Sequence, residues 1–178
     1  MKITSTMLVA ALAGLSSARI TYTISKAANP TADQTDAYNK ITAAMDAAIK
    51  RHESLGSTAT KKITVEYSPG TPTADGSSDG RIRFGSGREF MTERTALHEI
   101  AHTLGVGTTA KFNDNCKTGN WPAANPVLKG FDGANAKFSC GGGHFWPYGL
   151  NFESEMSATA ADHHVMIINA MIKDGISP

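Results

Sequence analysis

The segment Thr92–Thr108, TERTALHEIAHTLGVGT, constrains this chain more than any other stretch. His98 and His102 are four residues apart, a little over one helical turn, so on a helix both imidazoles leave the same side. Leu97, Ile100, Ala101 and Leu104 recur at helical spacing and form an apolar stripe. Thr92 stands where an N-cap belongs and Gly105 where a helix stops. Such a helix must press one side into a core and leave its histidine side to a cleft, so the fold has to supply both. Glu99 completes H-E-x-x-H. Two imidazoles at this spacing suit one tetrahedral metal, and the carboxylate lies one step round, close enough to polarise a metal-bound water.

The longer run HEIAHTLGVGT resembles the active-site helix of zincin metallopeptidases, and within them the metzincin clan, whose pattern is H-E-x-x-H-x-x-G-x-x-H. Gly105 matches the clan's glycine. The resemblance implies a Zn²⁺-dependent hydrolase with His98 and His102 as ligands and Glu99 as general base. It departs at Thr108, which stands where the clan has its third histidine; a hydroxyl is a poor zinc ligand, so a third ligand is expected elsewhere. The first candidate is His144 in GGGHFWPYGLNFESE, where glycines free the backbone and aromatics can wall a site. Glu153 or Glu155 would give a His-His-Glu site, as in the gluzincins, and Asp114 after Gly107–Thr108 loosely resembles the aspzincin pattern. Tyr148 is a candidate donor to the oxyanion, as a tyrosine is in some zincins, and Met156 a candidate for the metzincin methionine turn. Of the remaining histidines, His52 falls near the end of a helix where a cation complements the dipole, and His163 and His164 are neighbours on the last helix.

The 178-residue chain has room for one domain. Residues 1–18 read as a secretory signal peptide: Lys2, an apolar run from Met7 to Leu15 too short to span a bilayer, then Ser16 and Ala18 as the small residues before a cleavage site. Residues 19–178 form the expected single catalytic domain, and the expected localisation is secreted and extracellular. Losing Lys2 leaves basic and acidic residues balanced, which removes any electrostatic reason to bind nucleic acid or an anionic membrane. The expected partner is a peptide or protein substrate, and the expected state a monomer. Cys116 and Cys140 are the only cysteines, and in an oxidising compartment they are expected to form one disulfide.

Organisation follows from periodicity. Ile20, Tyr22 and Ile24 alternate as a strand, and Thr31 with Gln34 makes a capping box. The helix behind that box carries Ala37, Tyr38, Ile41, Ala44, Met45, Ala48 and Ile49 on one face and ends near Gly56. Ile63, Val65 and Tyr67 make a second strand, Gly70–Gly80 reads as a surface loop, and Arg81–Gly85 as a third strand before the H-E-x-x-H helix. This order predicts an α/β (α+β) fold with a small twisted sheet backed by a long helix. By resemblance to metzincins, Arg81, Ile82, Arg83, Phe84 and Gly85 would be the sheet edge that pairs with extended substrate. Val106–Ser157 lacks clear periodicity and reads as an irregular lower half, stapled by the disulfide and filled by Trp121, Phe131, Phe138, Phe145, Trp146 and Phe152. Ala161, His164, Val165, Ile168, Met171 and Ile172 then share a face of a final helix. The function expected is a secreted zinc metallopeptidase. The alternative is a secreted binding or effector protein on a zincin scaffold, without proteolysis.

Overall fold

A computed structural model describes residues 19–178; the expected leader, residues 1–18, lies outside the described residues. Strand β1 (Ile20–Ser25) is followed by helix α1 (Ala32–Ser54), then strands β2 (Lys61–Tyr67), β3 (Ala74–Gly76) and β4 (Arg81–Phe84), and helix α2 (Glu93–Thr103). Short helices α3 (Ala110–Thr118) and α4 (Ala124–Asp132), a hairpin of β5 (Ser139–Gly141) and β6 (His144–Trp146), and helix α5 (Ala158–Lys173) complete the chain. The architecture is mixed α/β, as expected.

The main sheet has the order β1-β2-β4-β3, with β1, β2 and β4 parallel and β3 antiparallel to β4. Ile63, Val65, Ile82 and Phe84 are buried while Lys62, Thr64 and Arg81 are exposed, so the sheet packs one face and presents the other to solvent. Helix α1 begins at the capping box: Gln34 N–H donates to Thr31 Oγ1 at 3.2 Å, and Thr31 N–H donates to Gln34 Oε1 at 2.9 Å. Its buried residues are Ala37, Tyr38, Ile41, Ala44, Met45, Ala48 and His52. Ala37, Ile41, Ala44, Met45 and Ala48 join the sheet's buried face, α2 and α5 in one core.

Three expectations about secondary structure are corrected. The segment Gly70–Gly80 is not all loop: Ala74–Gly76 form β3, which takes the edge of the sheet. Arg81–Gly85 is therefore not the edge. Backbone pairing from β2 on one side and β3 on the other occupies Arg81, Ile82, Arg83 and Phe84, and Gly85 N–H donates to Thr73 O at 2.8 Å, leaving none of them open to an added strand. The lower half is not irregular either. Thr109 Oγ1 caps α3 by accepting from Phe112 N–H at 3.3 Å, and the Asp174 carboxylate accepts from Ala123 and Ala124 N–H at 2.6 and 2.9 Å at the start of α4.

The disulfide Cys116–Cys140 is present and ties α3 to β5 across a separation of 24 residues, a closure that contributes roughly 3 kcal/mol by restricting the unfolded chain. Trp121 packs edge-on against Phe112 and Phe138, and Phe138 against Phe145, forming the local aromatic core beneath the hairpin. Phe152 is 62% exposed and takes no part in it. Among the described residues no helix is long and apolar enough to cross a membrane.

His52 is not the helix-end cation that the dipole argument expects. It is 2% exposed, its Nδ1 faces Ser57 Oγ at 3.3 Å, and its Nε2 has no partner. Burial, with His164 nearby, pushes its pKa down to about 3. Desolvation outweighs the dipole, and the ring is neutral. The unfolded chain protonates this imidazole near pH 6.5 while the folded chain does not, so His52 costs stability as pH falls below 6.5 and contributes nothing above it. Replacing His52 by Leu removes that pH-dependent term; the lost Ser57 contact and the changed packing add an offset that does not vary with pH. In urea melts, the stability of His52→Leu relative to the parent should therefore rise by about 2 kcal/mol between pH 7.5 and pH 5. A pH-independent difference would show that the ring is solvated in the native state.

Candidate metal centre

Helix α2 opens with Thr92 Oγ1 accepting from Thr95 N–H at 3.3 Å, and buries Leu97, Ile100 and Ala101 in the core. That orientation sends His98, Glu99 and His102 away from the apolar stripe. His98 is 8% and Glu99 5% exposed. His98 Nδ1–H donates to Gly149 O at 2.8 Å, and His102 Nδ1–H donates to Val106 O at 2.8 Å. With both Nδ1 atoms donating, both Nε2 atoms present lone pairs, and these face each other at 3.2 Å. Two nitrogens bound at about 2.0–2.1 Å to one tetrahedral ion stand about 3.3 Å apart, so the pair already has the spacing of shared ligands.

The third histidine arrives from the hairpin. Gly142 and Gly143, at φ 57° and 82°, make a two-residue turn that only glycine-like backbone accepts, and Gly141 pairs with His144 across it. The His144 ring lies 5.1 Å from that of His98, stacked at 18°, and 5.3 Å from that of His102. One nitrogen from each of the three rings lies within 4.8 Å of the others, a group that could hold a metal ion. Of the candidates for third ligand, His144 is the one the fold brings to the pair. Thr108 instead donates Oγ1–H to His102 O at 2.8 Å and stabilises the end of α2.

The carboxylates are engaged elsewhere. Glu153 pairs with Arg94 at 2.9 Å. Glu155 accepts from Trp146 Nε1–H at 3.1 Å and Asn151 N–H at 3.0 Å, which braces the strand carrying His144 against the loop behind it. Asp114 lies on α3, outside the histidine group. Tyr148 donates its hydroxyl to Asp132 at 2.6 Å and packs edge-on against Phe131 and His163, so its proton is committed away from the three histidines. Met156 ends the short turn Glu153–Glu155 and packs against the core.

Residues without a sequence signal complete the site. Arg94, 7% exposed, donates to Leu150 O at 2.8 Å as well as to Glu153, fixing the loop whose Gly149 carbonyl orients His98. Gly76 on β3 rests against α2 so closely that a Cβ there would meet Glu99 O at 2.4 Å. Gly107 has φ 67°, and its Cβ would meet Gly143 O at 2.1 Å. The turn after α2 thus seats directly on the hairpin turn that presents His144.

Burial and then the mutual repulsion of the rings hold His98's pKa down to about 3, so the ring is neutral at physiological pH. Burial first and the nearby charge of Asp75 second raise Glu99 to about 8, partly opposed by Arg94. Without a cation this carboxyl is thus largely protonated at neutral pH, and a positive charge among the histidines would lower its pKa again.

The Gly107–Gly143 contact makes a direct prediction. Gly107→Ala should displace the hairpin turn and weaken binding of a divalent metal probe at the three histidines by on the order of tenfold or more in a competition titration, with secondary structure retained by circular dichroism. Gly130→Ala, at a glycine with open space around it, should leave the affinity unchanged. Equal affinities for the two variants would remove the turn contact from any role in placing His144.

Comparisons with known protein families, with curated proteins and with solved structures find no match to this chain.

Proposed function

We propose that this protein is a secreted, Zn²⁺-dependent metallopeptidase of the zincin type, metzincin-like in its H-E-x-x-H-x-x-G helix. One observation carries the reading: two neutral imidazoles on one helix, each tied by Nδ1 to a carbonyl, turn their Nε2 lone pairs on each other at 3.2 Å, with a third imidazole alongside. Lone pairs at that distance repel unless a cation stands between them. Three imidazole nitrogens fit catalytic zinc, which takes three protein ligands and keeps its fourth position open. A site serving structure alone has no use for a buried carboxylate beside two of its ligands.

When bound, Zn²⁺ supplies Lewis acidity toward a carbonyl oxygen and acidifies a water to near-neutral pKa. The chain's own residues do the rest. Glu99 accepts the proton of the attacking water and returns it to the leaving amine. Gly149 O and Val106 O orient His98 and His102 through their Nδ1–H groups and raise their basicity as ligands. The sheet edge on the α2 side belongs to β3, and Gly76 sets it against the backbone of Glu99. An extended peptide added antiparallel or parallel to β3 would run past the histidines, held by main-chain hydrogen bonds whatever its side chains.

Glu99→Gln should keep bound zinc and lose turnover of a fluorogenic peptide library by roughly 10²–10⁴-fold. Chelation of the parent should abolish activity, and added Zn²⁺ should restore it. Full activity in Glu99→Gln sinks the general-base role. A parent that binds zinc and cleaves no peptide leaves the non-proteolytic effector as the better reading.

A further inference from the structure

His164 takes no part in the proposed chemistry, yet it touches each segment that carries the site. It is completely buried on α5. Its Nδ1 lies 2.7 Å from Tyr148 O and its Nε2 3.3 Å from Leu97 O, while its ring stacks on Phe145 at 16° with centroids 6.1 Å apart. Leu97 precedes His98, Phe145 follows His144, and Tyr148 precedes Gly149, whose carbonyl orients His98. Its inward neighbours on α5, Ala161, Val165 and Ile168, are all apolar. Helical packing alone would be met by a leucine here. An imidazole buries a polar N–H that must find a partner, and the partner it finds is the Tyr148 carbonyl beside the histidine group, with Nε2 placed against the backbone of Leu97.

We infer that His164 is a positioning residue for the metal centre. Its Nδ1–H holds the Tyr148–Gly149 peptide where Gly149 O can orient His98, and its ring face backs the strand that presents His144. The inference rests on reading the three histidines as a metal site and adds a residue on a different helix to it. Groups at this remove from a metal act on its affinity and geometry rather than on the chemical step.

The test uses Co²⁺ as probe, with affinity and ligand geometry both read from the visible absorption of the loaded protein. His164→Leu keeps an apolar side chain and removes the donor; His164→Asn keeps a donor near the position of Nδ1. The expected result is Co²⁺ binding at least tenfold weaker with an altered visible band in His164→Leu, and affinity within a few-fold of the parent in His164→Asn. Phe145→Leu, which removes the stacking partner, should shift the same band and stands in for His164→Leu if that variant does not fold. Unchanged affinity and band in these variants overturn the inference, as does an equal loss in His164→Asn and His164→Leu. A parent that takes up no Co²⁺ overturns the metal-site reading itself, and with it this one.

Discussion

The structure depends on an arrangement that is unfavourable by itself: two lone pairs facing each other at 3.2 Å in a mostly buried place. Each imidazole is fixed in that tautomer by a carbonyl on its far side, and protonation, which would relieve the repulsion, is suppressed by burial. A cation between the two nitrogens would remove the conflict. Much of the surrounding fold is what keeps the two rings from turning away. The core grips the opposite face of α2, Arg94 fixes the Leu150 carbonyl next to Gly149, and Thr108 holds the end of the helix.

The third imidazole comes from a different kind of support. A hairpin with three-residue strands is marginal in water. Here it has four anchors: Cys140 bonded to Cys116 on α3, Phe145 buried in the aromatic core, Glu155 and Asn151 holding the strand from behind, and Gly107 seated on the turn. The first half of the chain builds a rigid platform from long periodic elements, and the second half brings a single side chain to it with short elements and a covalent staple. The stability of the second half therefore decides whether the three-histidine group is complete.

That division also explains what was legible in the sequence. Helices α1 and α5 each bury seven residues at helical spacing, and α2 carries the apolar stripe Leu97, Ile100, Ala101 and Leu104, enough to define a period; the caps expected at Thr31 and Thr92 are present in the structure. Helix α3 buries only Phe112 and Asn115, and α4 only Ala124 and Leu128; two inward residues define no period, and the glycines and asparagines around them read as loop. Strand β3 is Ala-Asp-Gly, with no intrinsic strand preference; it is a strand because β4 offers a partner and because Gly76 alone fits against α2. His144 stood out because glycines and aromatics flanked it, and the geometry supports it over Glu153, Glu155 and Asp114. Arg94 and His164 gave no such signal, since their importance lies in which carbonyls they meet, and only the tertiary fold decides that. His52 misled for the same reason: its place at a helix end was visible, its burial was not.

The most direct test of this account is the X-ray absorption spectrum of the Zn²⁺-loaded protein. Three histidines and one open position predict three imidazole nitrogens at about 2.0–2.1 Å and one further light ligand. A shell with only two imidazoles, or with none, would contradict it.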